Sequence, residues 1–321
     1  MNRLFSLFAL LTVPALLLAP GALASNNDAA TAPGGWTPYE SGTMFSYAGG
    51  RTAIPDTCGC LDLMLVIDDT GSMGGAIANV QAGMLDIIAL AEETCDEVRI
   101  GLVTFKDEVE VDVPLTSNTA DVVNAVNALT AIGGDFEPEA SDEALGELFT
   151  SSTCLASGDF DPASWREGCC KVAILVTDAN PGGCDDAYVD GEDDVNAHNR
   201  ALEALGLDVH IGALFVPTFG DPNGTITPVM IDYAVTTDGV FGQTAQDGSG
   251  TADAIQQVIL NCVGTSATEL CCLPDGSCVR VLEGECLDLN GTVVDDCEDC
   301  FTTPVEESTW GHIKSIFDTN R

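Results

Sequence analysis

The chain has 321 residues, 51 of them acidic against ten Lys and Arg, for a formal charge of −41. Such a surface repels nucleic acid and anionic membranes; solubility in a saline medium and a cation-related role fit it equally. Fourteen cysteines point to an oxidising compartment and to disulfides.

Arg3 precedes an apolar run from Leu4 to Leu18, and Ala22-Leu23-Ala24 has the small-x-small pattern of a cleavage site before Ser25. Residues 1–24 therefore read as an export signal, and the product is expected to be secreted or associated with a cell surface. No later apolar run is expected to reach the length of a membrane span. Residues 25–57 are rich in Asn, Ala, Gly, Pro and Thr and read as a flexible leader, with Trp36, Tyr39 and Phe45 free to pack locally.

Cys58 and Cys60 stand at the entrance to the first strand. Leu61, Leu63, Met64, Leu65, Val66 and Ile67 form a nearly continuous apolar run, the pattern of a strand buried on both faces of a parallel sheet. Asp68-Asp69-Thr70-Gly71-Ser72-Met73 follows, then a helix from about Gly75 to Glu93 with Ile77, Val80, Met84, Ile87 and Ile88 on one face. Proteins of the α/β class place ligands at such carboxyl ends of strands. Asp68, Thr70 and Ser72 alternate, so one carboxylate and two hydroxyls can point to one spot. Hard oxygens without Cys or His suit magnesium, manganese or calcium, and not zinc. The same stretch also reads as a polar turn with Ser72 as N-cap of the helix.

Val98–Phe105 reads as a second buried strand, Val109–Leu115 as its edge hairpin partner, and Val122, Val126 and Leu129 lie at helical spacing. Gly133-Gly134-Asp135-Phe136-Glu137-Pro138-Glu139 leads into a helix near Ser141–Thr150. A loop over 151–170 carries Cys154, Cys169 and Cys170, and the β-branched strand Lys171–Thr177 ends at Asp178. The acidic stretch Asp185, Asp186, Asp190, Glu192, Asp193 and Asp194 reads as a solvated loop in preference to a calcium loop. A helix through Leu205, the strand Val209–Val216 and a last helix with Ile255, Val258, Ile259 and Cys262 complete the series. Strands alternating with helices predict an α/β domain over 58–264, with a doubly wound, mostly parallel sheet.

His198 falls in a helical pattern and His210 in a strand, which predicts structural histidines. With His312 they are too scattered for a catalyst, and no nucleophile-and-base pairing is visible, so no enzyme is expected. Six cysteines crowd 271–300, with a turn signal at Pro274-Asp275-Gly276 and few apolar residues. Residues 265–300 therefore read as a small disulfide-rich module. A zinc or redox role for Cys297-x-x-Cys300 is disfavoured in an exported chain with no His nearby. The tail, 301–321, reads first as a frayed end; in a short helix there, Trp310, Ile313 and Phe317 would share one side.

Taken in order, the three strand-end loops resemble a von Willebrand factor type A domain with its metal-ion-dependent adhesion site, of the integrin β-like and bacterial exported kind. Asp68-x-Thr70-x-Ser72 matches the family's first loop, and Val176-Thr177-Asp178-Ala179 matches its Asp at the end of the fourth strand. Pro138-Glu139 resembles the Asp-x-Pro-Glu second element, with Asp135 one position further away than in that pattern. The resemblance implies a Rossmann-like fold and one divalent cation, magnesium first and calcium or manganese next. Its ligands would be Asp68, Thr70, Ser72, Asp178 and Glu139, with Asp135 a weaker candidate. It also implies an open position that takes a carboxylate from the acidic side chain of a protein partner, the neutral hydroxyls keeping the ion electrophilic. Integrin β domains add an Asp pair after the first loop for a second cation; Gly75 and Ala76 stand there, so no adjacent cation is implied. The resulting reading is an exported, cation-dependent protein-binding or adhesion module. The alternative is a disulfide-stabilised structural component of a cell surface or matrix.

In such a fold Cys58, Cys60 and Cys262 would lie at the pole opposite the metal. Eight cysteines fall in 58–264 and six beyond, so each set can close on itself. We expect a bond from Cys58 or Cys60 to Cys262 that pins the last helix. Cys95, Cys154, Cys169 and Cys170 are expected at that same pole, and Cys184, which follows a metal loop, has no evident partner.

Overall fold

The computed structural model describes residues 58–134, 138–185, 187–262, 268–274, 276–282 and 284–301. The export signal, the leader, Asp135, Asp186, His312 and the tail with Trp310, Ile313 and Phe317 lie outside the described residues.

The first half of the domain runs β1 (Cys58–Asp68), α1 (Gly74–Thr94), β2 (Cys95–Phe105), β3 (Val109–Thr116), α2 (Thr119–Ala128), α3 (Ser141–Phe149) and β4 (Leu155–Ser157). It continues with β5 (Cys170–Thr177), α4 (Asp193–Gly206), β6 (His210–Phe215), α5 (Ile226–Thr236), β7 (Val240–Gln243) and α6 (Thr251–Cys262). The Cys-rich segment adds β8 (Thr268–Cys272), β9 (Cys278–Leu282), α7 (Glu285–Asp288), β10 (Thr292–Val294) and a 3₁₀ helix at Cys297–Phe301.

All ten strands form one sheet in the order β10-β8-β9-β7-β6-β5-β1-β2-β3-β4. β1, β2, β5, β6 and β7 are parallel. β3 turns back antiparallel on β2 and buries Val109, Val111 and Val113 while Glu110 and Asp112 face out. α1, α2 and α6 cover one face and α3, α4 and α5 the other, giving two cores on either side of β1. Six apolar side chains of β1 are fully buried between them. At about 1.5–3 kcal/mol each, they contribute on the order of 10 kcal/mol before chain entropy, which keeps this strand at the centre.

The architecture is the doubly wound, mostly parallel α/β sheet that the alternation predicts. Several elements went unread: α5, buried on almost every side and so without a one-sided stripe, the four-residue β7, the three-residue β4 inside the expected 151–170 loop, and β8, β9, α7 and β10 of the Cys-rich segment. The expectation that no apolar run approaches a membrane span needs correction. Gly71–Thr94 is long and apolar enough by length and composition. Here that helix packs Ile77, Val80, Met84, Ile87 and Ile88 into the core and leaves Asp86, Glu92 and Glu93 exposed.

β1 pairs with β2 on one side and β5 on the other, so the chain's winding reverses there and a crevice opens at their carboxyl ends. At the other end of the sheet, β9 pairs in parallel with β7 through Phe241 and Val281, so the Cys-rich segment extends the same sheet. The turn at 273–277 closes the β8–β9 hairpin, with Leu273 N donating to Ser277 O at 2.8 Å.

The eight cysteines of 58–264 do close among themselves, but not as expected. Cys262 bonds to Cys170, and not to Cys58 or Cys60. Parallel register explains the correction: Cys58 stands opposite Cys95 across β1 and β2 and bonds to it. Cys60 reaches Cys169, just ahead of the neighbouring β5. α6 packs over β5 and β6, so its last residue meets the start of β5. Cys154 is a second correction. Short β4 joins β3 beside Val109, near the carboxyl end of β2, and this carries Cys154 to the pole at the carboxyl ends of the parallel strands, where it bonds to Cys184.

Candidate functional site

Asp68 is the last residue of β1 and is fully buried. Its Oδ1 accepts from Thr70 N at 3.0 Å and from Thr70 Oγ1 at 2.6 Å. Its Oδ2 accepts from Thr177 Oγ1 at 2.7 Å, because β5 places Thr177 beside the end of β1. Thr70 Oγ1 lies 3.0 Å from Ser72 Oγ, and Ser72 Oγ donates to Asp178 Oδ1 at 3.1 Å. The hydroxyl of Ser72 thus reaches across to the next strand end and makes no N-cap bond; Met73 occupies the N-cap of α1.

The loop before α3 closes the third side. Gly133 O accepts from Gly71 N at 2.9 Å and Asp69 O from Ile132 N at 3.2 Å, so this loop lies on the first one. Gly134 has a left-handed φ of +66°, and a Cβ there would stand 2.5 Å from Thr70 Cγ2 and 2.7 Å from Glu139 Oε1. A side chain at Gly134 would therefore fill the space where Glu139 and Thr70 approach each other. Glu139 is buried and stitched to the loop leaving Asp178: Glu139 N donates to Asn180 O and Gly182 N to Glu139 O, both at 3.0 Å. Cys154–Cys184 ties the same loop leaving Asp178 to the segment that follows α3, just ahead of β4, with Cα atoms 5.6 Å apart.

Asp68, Thr70, Ser72 and Asp178 thus form one hydrogen-bonded chain, and the Glu139 side chain faces Thr70 across Gly134. Asp135 lies outside the described residues. Sequence reasoning missed Thr177, although it lay inside the quoted Val176-Thr177-Asp178 stretch, and missed the role of the Gly133-Gly134 pair as backbone that only glycine leaves open.

The electrostatics are those of crowded negative charge. Burial, followed by the charge of Asp178, pushes Asp68 up to about 7. The nearby Lys106 is bound to Asp69, 2.5 Å from its Oδ2. The donor set is oxygen throughout, carboxylates and hydroxyls without sulfur or imidazole. It fits a hard divalent cation, which would relieve the repulsion between Asp68 and Asp178.

Other candidates resolve as structural. Asp185, Asp193 and Asp194 of the acidic loop accept from the nearby backbone N–H groups of Ala187, Val189 and Gly191. His198 Nδ1 pairs with Asp232 Oδ2 at 2.8 Å and His210 Nδ1 with Thr237 O at 2.7 Å. A Cβ on Gly75 would run into the Asp247 backbone, so the position that carries Asp in integrin β domains here faces a close-packed loop.

No curated protein matches the chain. Among solved structures, proximal thread matrix protein 1 from the mussel byssus is similar at 19% identity and a TM-score of 0.45, over 64% of this chain and 48% of that one. This chain thus spans about half the length of the mussel protein. BatB from Bacteroides thetaiotaomicron, described as a conserved hypothetical protein, is similar at 14% identity and a TM-score of 0.43, over 64% of this chain and 99% of that one. The vWF domain of the type V pili tip protein Mfa5 from Porphyromonas gingivalis is similar at 14% identity and 0.43, over 65% and 97%. The family model of the von Willebrand factor type A domain matches residues 63–180, a stretch that holds Asp68, Thr70, Ser72, Glu139 and Asp178. Residues 63–180 of this chain are a von Willebrand factor type A domain.

Proposed function

We propose that the crevice between β1 and β5 binds one divalent cation, magnesium first and calcium or manganese next, and that the protein uses it to hold an acidic side chain of a protein partner outside the cell. The observation that carries this reading is the hydrogen-bonded chain from Thr177 through Asp68, Thr70 and Ser72 to Asp178. It brings two strand ends to one point using oxygen donors alone. A bound cation would supply Lewis acidity toward an incoming carboxylate. Asp68, Asp178 and Glu139 supply the negative charge that retains it, and Thr70 and Ser72 supply neutral oxygens. Thr177 orients Asp68 through its Oδ2, and the Glu139–Asn180 backbone bond holds the second loop in register with the third.

A protein partner is further supported by the surroundings of the site. Ile132, Val189 and Phe219 are exposed large apolar side chains, 64%, 47% and 71% accessible, and each lies on a loop at the same pole. Apolar contact of this kind gives an acidic partner affinity that the chain's own charge would otherwise oppose. Six disulfides support an oxidising, extracellular setting. The same disulfides, with the sheet running on into the Cys-rich segment, also favour the second reading, a structural component of a surface or matrix.

Titration with Mn²⁺, followed by calorimetry and by the paramagnetic signal of the ion, tests the cation step. One site is expected in the wild type and none in Asp68→Ala. A wild-type protein that takes up no Mn²⁺ would overturn the reading. Capture of partners from the native environment with and without EDTA then separates the two functions, since only the adhesion reading loses its partner on chelation.

A further inference from the structure

The Cys-rich segment holds six cysteines, and two of them, Cys272 and Cys300, stand outside its bonds Cys271–Cys286 and Cys278–Cys297. β8 and β9 run antiparallel, and Cys272 stands directly opposite Cys278. Cys278 is bonded to Cys297, the first residue of the 3₁₀ helix Cys297–Phe301, which packs on β8. Three residues complete a 3₁₀ turn, so Cys300 falls on the same side of that helix as Cys297. This brings Cys300 back over β8, with its thiol within hydrogen-bonding reach of Cys272. Both residues are partly exposed. The other twelve cysteines of the chain form six disulfides.

We propose that Cys272 and Cys300 are a disulfide-forming site that closes a seventh bond in the exported protein and locks the last helix of the segment onto β8. The oxidant required is a disulfide, either a low-molecular-weight one such as oxidised glutathione or the catalytic disulfide of a thiol oxidoreductase. Cys272, as thiolate, attacks one sulfur of that oxidant and expels the other as a thiolate. Cys300 then gives up its proton and attacks the Cys272 sulfur of the mixed disulfide, expelling the second thiolate. Two protein thiols lose two electrons and the oxidant gains them. Burial, and then the neighbouring thiol, pushes Cys300 up to about 12, and the step balances in the same way whichever of the two thiols attacks first.

A metal is the competing use of two adjacent thiols. Zinc in a structural site takes four ligands. Among the described residues, the thiols that lie with a third metal-binding side chain at metal-ligand spacing are Cys154 and Cys184, beside Glu143, and their sulfurs are already bonded to each other. No third ligand joins Cys272 and Cys300 there.

The full chain, purified from an oxidising host without reductant, is denatured, alkylated with iodoacetamide, digested and mapped by tandem mass spectrometry. The expected result is a Cys272–Cys300 cross-link, with neither residue alkylated until a reductant is added. Cys300→Ser is expected to expose one alkylatable thiol, at Cys272; should that variant fail to be secreted, the wild-type map decides alone. Alkylation of both residues before reduction, a bond from either to another cysteine, or zinc retained stoichiometrically by the native protein and released when the two thiols are blocked, would each overturn the proposal.

Discussion

Asp62 and Asp68 sit toward opposite ends of β1, both fully buried, and meet opposite electrostatic fates. Asp62 accepts from Arg99 Nε and Nη2 at 2.8 and 2.6 Å and from Arg166 Nε and N, both at 2.9 Å. Burial alone would raise its pKa; the hydrogen bonds from Arg99, then those from Arg166, outweigh burial and hold it below the ordinary carboxylate value. Asp68 has hydroxyl and backbone N–H donors but no cation, and it is pushed upward. Asp68 is the more deeply buried of the two, and it also lacks the cationic partners that Asp62 has. Of the ten Lys and Arg residues in the chain, two are committed to one carboxylate at the pole far from Asp68 and Asp178. That pole is also fixed by Cys58–Cys95, Cys60–Cys169 and Cys170–Cys262. One end of the sheet is electrically complete without help, and the other, on the proposed reading, is completed from solution.

The largest effect should come from breaking the complete end. Asp62→Asn leaves two guanidinium groups facing a neutral amide and should cost about 3 kcal/mol, since losing one partner of a buried ion pair typically costs 3–5 and each Arg side chain is about a quarter exposed. Urea unfolding measures it, and a loss below about 1 kcal/mol would mean the cluster is ornamental. The folded pKa of Asp62 is depressed, so its contribution is complete above the ordinary value of 3.8 and is lost as pH falls through the folded value. Acid unfolding of the wild type should therefore steepen below about pH 4, and Asp62→Asn should flatten that limb.

At the other end, the sign should reverse. Asp68→Asn removes one of two like charges and should stabilise the protein in chelator by on the order of 1–2 kcal/mol. It should also abolish the melting shift that Mn²⁺ gives the wild type, about 2.7 kcal/mol at a hundred times the dissociation constant. A destabilised variant in chelator would show that Asp68 is held by its hydroxyl donors more strongly than Asp178 repels it. A smaller effect should follow from opening the loop clamp. Replacing Cys154 and Cys184 together by Ser should weaken Mn²⁺ binding about tenfold, the usual scale for groups that position ligands, while Asp62 and its arginines stay unaffected. Equal Mn²⁺ affinity by calorimetry would mean that the Glu139–Asn180 stitching suffices alone. The smallest effect concerns the surface. Between 0.01 and 1 M salt the Debye length falls from about 30 to about 3 Å, so the melting temperature in chelator should rise by about 2–4 °C. A flat or falling curve would show that the excess negative charge is too dispersed to matter.

Much of this was legible in the sequence because it follows from local pattern. The apolar run of β1, the alternation of β3 and the helical stripe of α1 each reflect one residue's neighbours along the chain. Asp68, Thr70 and Ser72 could be placed together because alternation within one loop needs no knowledge of the fold. Asp62 could not be recognised, because a single acid in an apolar run gives no sign that Arg99 stands opposite it in the next strand. Disulfide pairing failed for the same reason. Cys58 meets Cys95 through strand register, and Cys154 changes pole because three residues of β4 add to a sheet edge. α5 was hidden by being apolar nearly all round, which erases the period that marks a helix.

The Cys170–Cys262 bond has a mechanical consequence. Cys262 ends α6, and Cys170 begins β5, a strand in the middle of the sheet. Tension applied to the chain beyond Cys262 enters β5 directly through the sulfur bridge, so the 92-residue span between the two cysteines lies off the load path. α6 cannot be peeled from the sheet from its carboxyl end, and the strand that receives the pull is the one whose far end carries Thr177 and leads into Asp178. The share of a tug on the C-terminal segment that passes the β7–β9 pairing and reaches Cys262 is therefore delivered along β5 to the rim of the crevice, without first unravelling the helix.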